Sequence, residues 1–88
     1  MSYYVYLIIS KGSNRYTSYV GYTKNLKKRL SLHNKSKGAK FTRGRIWKLI
    51  FSRKYSSKNV AMSEEYRLKK NYKFRYKIKK QYLENKWR

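Results

Sequence analysis

Three carboxylates, one imidazole and eleven phenols are the groups in this 88-residue chain whose chemistry goes beyond binding. The carboxylates are Glu64, Glu65 and Glu84, and the imidazole is His33. Cleavage of a phosphodiester by two metal ions needs several acidic ligands converging on a pair of ions about 3.5–4 Å apart. Glu64 and Glu65 are neighbours whose side chains would diverge by about 100° on a helix, and Glu84 lies far along the chain. A two-metal site is therefore disfavoured. A single divalent ion held by one glutamate, waters and a substrate phosphate stays open, because Mg2+ commonly uses only one or two carboxylates. The base that activates water is then a tyrosine or His33. Surrounding positive charge favours phenolate, so a tyrosine pKa below its usual value near 10 is expected.

That positive charge is large. Lys and Arg number 25 against three acidic residues, for a formal charge of +22. Self-repulsion of this size weakens a compact state unless a polyanion offsets it, and nucleic acid is the natural partner. A membrane surface fits less well, since the tyrosines are scattered rather than gathered on one basic amphipathic helix. The 40% hydrophobic content argues against disorder, despite the high net charge. The absence of cysteine excludes disulfides and cysteine-based zinc sites. The apolar run Val5 to Ile9 is too short to span a bilayer or to serve as a signal-peptide core. The expectation is a single intracellular domain with no export signal and no membrane partner.

The elements that must position these groups follow from the pattern. Tyr3 to Ile9 is aromatic and β-branched and predicts a buried strand, closed by a turn at Ser10 to Asn14. Tyr16 to Thr23 predicts its hairpin partner. Gly21 inside that strand suggests a bulge or the close approach of a ligand. Thr23 is placed to cap a helix from Lys24 to Lys35, in which Arg29 and His33 border the stripe made by Leu26 and Leu30. A basic loop, Gly38 to Arg45, leads into a third strand, Ile46 to Ser52. Ser56 to Asn59 opens a second helix, Val60 to Asn71, with Ala61, Leu68 and Tyr72 on one face. Phe74, Ile78 and Tyr82 predict a basic amphipathic third helix from Tyr72 to Arg88. The order β-β-α-β-α-α gives an α+β fold, a small three-stranded, mostly antiparallel sheet flanked by helices.

Tyr4-Val5-Tyr6 and Tyr19-Val20-Gly21 resemble the paired motifs of the GIY-YIG endonucleases. The resemblance continues through Tyr22 to Asn34, with Arg29 and His33 one turn apart, through the loop Gly38-Ala39-Lys40-Phe41-Thr42-Arg43, and through the helix Ala61 to Lys70. It spans roughly residues 3 to 83 and is closest to the small stand-alone members. Tyr4 and Val5 replace the Gly and Ile of the first motif, and Val20 the Ile of the second. Residues Asn14 to Ser18 lengthen the hairpin, and Tyr19 rather than Tyr16 matches because it stands two before a Gly.

The resemblance implies a GIY-YIG nuclease-like fold and a divalent-metal-dependent endonuclease that hydrolyses DNA phosphodiesters with one Mg2+ or Mn2+. It implies that Tyr6 and Tyr19 are the motif tyrosines, one acting as or assisting the general base, and that Arg29 stabilises the phosphoryl transition state. His33 would position the nucleophile or take part in proton transfer, and Glu65 would bind the metal. The plainer role for Glu65 is an i,i+4 ion pair with Lys69, worth only about 0.2–0.5 kcal/mol. Lys40, Arg43 and Arg45, with the third helix, are expected to contact phosphates without reading sequence. Trp47 and Trp87 are candidates for stacking on bases, although Trp47 also suits the core. Relatives usually carry an added recognition domain for which this chain has no room, so structure-selective cutting, a partner protein or a homodimer is expected to target it. The alternative is a non-catalytic binder of RNA or DNA on the same scaffold.

Overall fold

Buried β-branched and aromatic residues place the first strand at the centre. The computed structural model describes residues 2–86, and in it β1 (Tyr3–Lys11) lies between β2 (Tyr16–Thr23) and β3 (Lys48–Tyr55), both antiparallel to it. Val5 to Ser10 are buried without interruption, as a central strand covered on both faces requires. The hairpin joining β1 to β2 is closed by Gly12 N–H donating to the Arg15 carbonyl at 2.8 Å.

Alternation along β1 sorts the core into two layers. Val5 and Leu7 face Val20, Ala61 and Leu68, with Phe51, Phe74 and Ile78 packed around them. This side is covered by α2 (Lys58–Lys70) and α3 (Tyr72–Lys86). Tyr6 and Ile8 face Trp47, Tyr19, Leu26 and Leu30, beneath α1 (Leu26–Asn34) and the loop carrying the short 3-10 helix Lys40–Thr42.

Several element boundaries differ from those expected. The first helix begins at Leu26 because Asn25, not Thr23, is its cap: Asn25 Oδ1 accepts from Lys28 N at 3.0 Å, while Thr23 ends β2. The third strand starts at Lys48 rather than Ile46. Trp47 N–H donates to Asn34 Oδ1 at 2.6 Å and its indole N–H to the Thr42 carbonyl at 2.9 Å, commitments that keep it out of the sheet ladder. The second helix starts two residues early, at Lys58, with Ser57 Oγ accepting from Val60 N. Tyr72 does not share its buried face. Asn71 ends α2 and its Oδ1 accepts from Phe74 N at 3.1 Å, so Tyr72 opens α3 and is exposed. Trp87, and the expected end of the third helix, lie outside the described residues. No described helix is long and apolar enough to cross a membrane.

Candidate active site

Two glycines make room for the central pair of side chains. Tyr6 on β1 stands opposite Gly21 on β2, and its ring lies across that glycine: a Cβ there would meet the phenol, with Cζ at 2.6 Å. Gly21 is therefore not at a bulge; it makes room for the Tyr6 ring. The irregularity in the sheet falls instead between Leu7 and Ile8, against β3. Gly38 does for His33 what Gly21 does for Tyr6, since a Cβ at Gly38 would sit 2.8 Å from Cε1 of the imidazole.

α1 delivers His33 into the space so created. The imidazole is completely buried, although basic residues precede and follow it in sequence. Tyr6 Oη lies 2.8 Å from His33 Nε2, and His33 Nδ1 lies 2.9 Å from Thr42 Oγ1. Thr42 Oγ1 in turn donates its only proton to the Ala39 carbonyl at 3.0 Å. It can then only accept from His33, so Nδ1 carries the imidazole proton and Nε2 is the acceptor for the Tyr6 hydroxyl. One direction of hydrogen bonding runs through the whole chain, from Tyr6 through His33 and Thr42 to the backbone.

Electrostatics keep this chain neutral at rest. Burial raises the Tyr6 pKa above its usual value near 10, and the raising effects of Tyr19 and Glu65 add to it, while the Arg29 guanidinium pulls the other way. Burial, with Arg29 adding, lowers the His33 pKa below its usual 6.5. The sequence-based expectation of a lowered tyrosine pKa does not hold for Tyr6. The net positive charge of the chain is mostly out in solvent, where water screens it, whereas desolvation acts directly on the buried phenol.

Other candidate groups gather around the pair. The Tyr19 ring meets His33 edge-on at 5.2 Å and stacks on Phe41 at 6.0 Å. Arg29, one turn before His33, lines a small cavity with Tyr6 and Leu30. Its Nε is buried and lacks a hydrogen-bond partner among the described residues. Glu65 approaches from α2, its side chain 18% exposed and its carboxylate 3.5 Å from Lys69. Glu64 faces elsewhere, paired with Arg67 at 3.1 Å and lining a depression with Val5, Phe51 and Phe74. The two neighbouring glutamates thus pair with different cations, Arg67 and Lys69.

Lys40, Arg43 and Arg45 are exposed on the loop around Thr42, and Arg45 Nη1 donates to Thr17 Oγ1 at 3.3 Å, tying the loop to β2. Trp47 is buried, so it is not available to stack on a base. Sequence reasoning missed Thr42 and Phe41 as individuals, because the loop they lie in is matched as a whole and only its cations are given roles. The signal available was a pair of uncharged residues, one small and one aromatic, between Lys40 and Arg43.

A divalent ion can be tested against the donors present. No group of three His, Cys, Asp or Glu side chains is assembled among the described residues. The donor set near Tyr6 is one partly buried carboxylate, Glu65, which suits a hard cation that keeps most of its waters and takes oxygens from a phosphate.

The GIY-YIG catalytic domain profile matches residues 2–86. A UPF0213 protein of Oceanobacillus iheyensis is 44% identical over 68 residues, 76% of each chain. One from Bacillus licheniformis is 41% identical over 88 residues, 99% of this chain and 84% of its own. The solution structure of a UPF0213 protein from Bacillus halodurans is 38% identical, covering 78% of this chain and 71% of its own with a TM-score of 0.42. With a matched region that takes in the tyrosines, the Arg29–His33 helix and the glutamate helix, the chain belongs to the GIY-YIG catalytic-domain family and groups with its UPF0213 members.

Proposed function

We propose that the protein is a divalent-metal-dependent endonuclease that hydrolyses DNA phosphodiester bonds. The observation that carries this reading is the directed chain from Tyr6 through His33 to Thr42, set beside an arginine whose buried Nε has no partner. A protonated phenol cannot by itself take a proton from water. Coupled to His33 it can: the Tyr6 oxygen accepts the water proton as its own proton passes to Nε2. The water oxygen then forms the new P–O bond in line with the leaving oxygen, whose bond to phosphorus breaks and which takes a proton from solvent, while the proton on His33 is released to solvent to reset the pair.

Arg29 holds the phosphoryl group. Its guanidinium lies beside Tyr6, with Nε buried, so its charge acts from a partly desolvated position on a phosphoryl group at that phenol. The phosphate it binds also offsets the positive charge that otherwise disfavours an imidazolium at His33. Tyr19 packs edge-on against His33 and borders the same space. Glu65 would hold Mg2+ or Mn2+, whose charge, when bound, neutralises the phosphoryl oxygens. Lys40, Arg43 and Arg45 would grip flanking phosphates and contribute affinity without sequence preference.

Cleavage of labelled DNA, with and without Mg2+ or Mn2+, tests the reading alongside a binding assay. Arg29→Ala or Glu65→Ala should lower the cleavage rate by about two to three orders of magnitude while DNA binding persists. Glu64→Ala, which alters the pair with Arg67 and the depression beside Phe51 and Phe74, should cut normally. Wild-type protein that binds DNA tightly but cuts no duplex, branched or single-stranded substrate would instead establish a non-catalytic binder.

A further inference from the structure

The surface leading away from the candidate site is built from flat rings and cations. Phe41, stacked on Tyr19, is 58% exposed, and on α3 Tyr72 and Tyr76 are 68% and 50% exposed. Each α3 ring has a cation beside it: Arg75 Cζ is 5.9 Å from the Tyr72 centroid, and Lys79 Nζ is 5.9 Å from that of Tyr76.

These rings are joined to the site. An open depression of ≈ 260 Å³ at the β2 edge is lined by Tyr19, Phe41 and Arg75. A second, of ≈ 90 Å³, shares Arg75 and Ser18 with the first and continues to Tyr72, Tyr76 and Lys79. Arg75 is the fixed point between them, its Nε donating to the Leu68 carbonyl at 3.1 Å and its Nη1 to Ser18 Oγ at 3.4 Å. The path therefore begins at a motif tyrosine and runs past a tethered guanidinium to two exposed phenols.

We propose that this path holds an unpaired DNA strand continuous with the phosphodiester at the candidate site, so that the substrate is single-stranded on that side; the proposal rests on the nuclease reading for its direction. Bases in a duplex are stacked on one another and turn only their edges outward, so exposed rings have nothing to stack on. An unpaired strand offers π-faces to Phe41, Tyr72 and Tyr76 and phosphates to Arg75 and Lys79, a combination that binds strands with little regard to sequence. The charge of the chain supplies the complementarity, and the two adjoining depressions that share Arg75 and Ser18 give the strand a continuous course.

Fluorescence anisotropy of the full chain in EDTA, where no metal-dependent cutting occurs, provides the test. The probes are a labelled 12-nucleotide oligo(dT) strand and a 12-base-pair duplex. The wild type should bind the strand more tightly than the duplex. The double variant Tyr72→Ala/Tyr76→Ala should lose at least tenfold in strand affinity and less than threefold in duplex affinity, with an unchanged circular dichroism spectrum. Tyr72→Phe/Tyr76→Phe, which keeps the rings, should restore strand binding. Equal losses on both probes, or no loss, would overturn the proposal. Ring-dependent strand binding by a wild type that cuts nothing would sustain it and reject only the nuclease reading.

Discussion

Thr42 is the smallest part of the site and the one on which its proton arrangement depends. Thr42→Val keeps the shape of the side chain and removes the oxygen that accepts from His33 Nδ1 at 2.9 Å. His33 is completely buried, so no solvent water stands ready to replace that partner. Leaving a buried N–H unsatisfied costs about 1–3 kcal/mol, and in a domain of this size each kcal/mol shifts Tm by about 4–8 °C. The imidazole can escape by moving its proton to Nε2, but that nitrogen then faces the Tyr6 hydroxyl as a donor and can no longer take its proton. The cleavage rate should therefore fall about 100-fold or more, within the range that general acid–base groups contribute, with KM little changed. Thr42→Ser, which restores the oxygen, should recover most of both losses. His33 is the sole histidine, so its two ring nitrogens can be assigned directly in 15N spectra, independently of any activity. The wild type should show the Nδ1–H form and Thr42→Val a shift away from it. A Thr42→Val protein with wild-type rate and an unchanged Nδ1–H signal would refute the reasoning.

Two further outcomes follow from the same geometry. Gly21→Ala places a methyl group against the Tyr6 ring, and since overpacking costs about 1–3 kcal/mol, both thermal stability and cleavage should fall, whereas Gly44→Ala, at a glycine with open space but a left-handed φ of 73°, should lower thermal stability through backbone strain and leave cleavage intact. His33 resists protonation in the folded chain because burial and Arg29 hold its pKa below the usual 6.5. Its contribution to stability is thus fully present above about pH 6.5 and is lost as the pH falls below that, where the unfolded chain takes up a proton first. Denaturant titrations between pH 7.5 and 5 should show this decline, and a His33→Gln variant should show a flatter profile.

The order of elements could be read from the chain because each rests on local pattern: the alternating and β-branched residues of β1, the leucine spacing of α1, and the fourfold spacing of Phe74, Ile78 and Tyr82. The boundaries that differed were set by partners distant in sequence or by competing caps. Trp47 looks like a strand residue until Asn34 and Thr42 claim both of its N–H groups. Asn25 displaces Thr23 at the first cap because its side chain reaches Lys28 N while Thr23 is held in the sheet. The paired placement of Tyr6 and His33 could be anticipated only through the family motif. Twenty-seven positions separate them, and no periodicity operates over that distance.

Composition and motif alone determined that this chain would be a basic α+β member of its family, with tyrosines, Arg29, His33 and a glutamate helix in a set order. Only the tertiary structure decided the direction of the protons, the sign of the Tyr6 shift, and which cation each glutamate pairs with. Those properties come from desolvation and from hydrogen-bond partners brought together across the sheet. Desolvation depends on what surrounds a group in space, and a linear pattern holds that information only for neighbours a turn or a strand pair away.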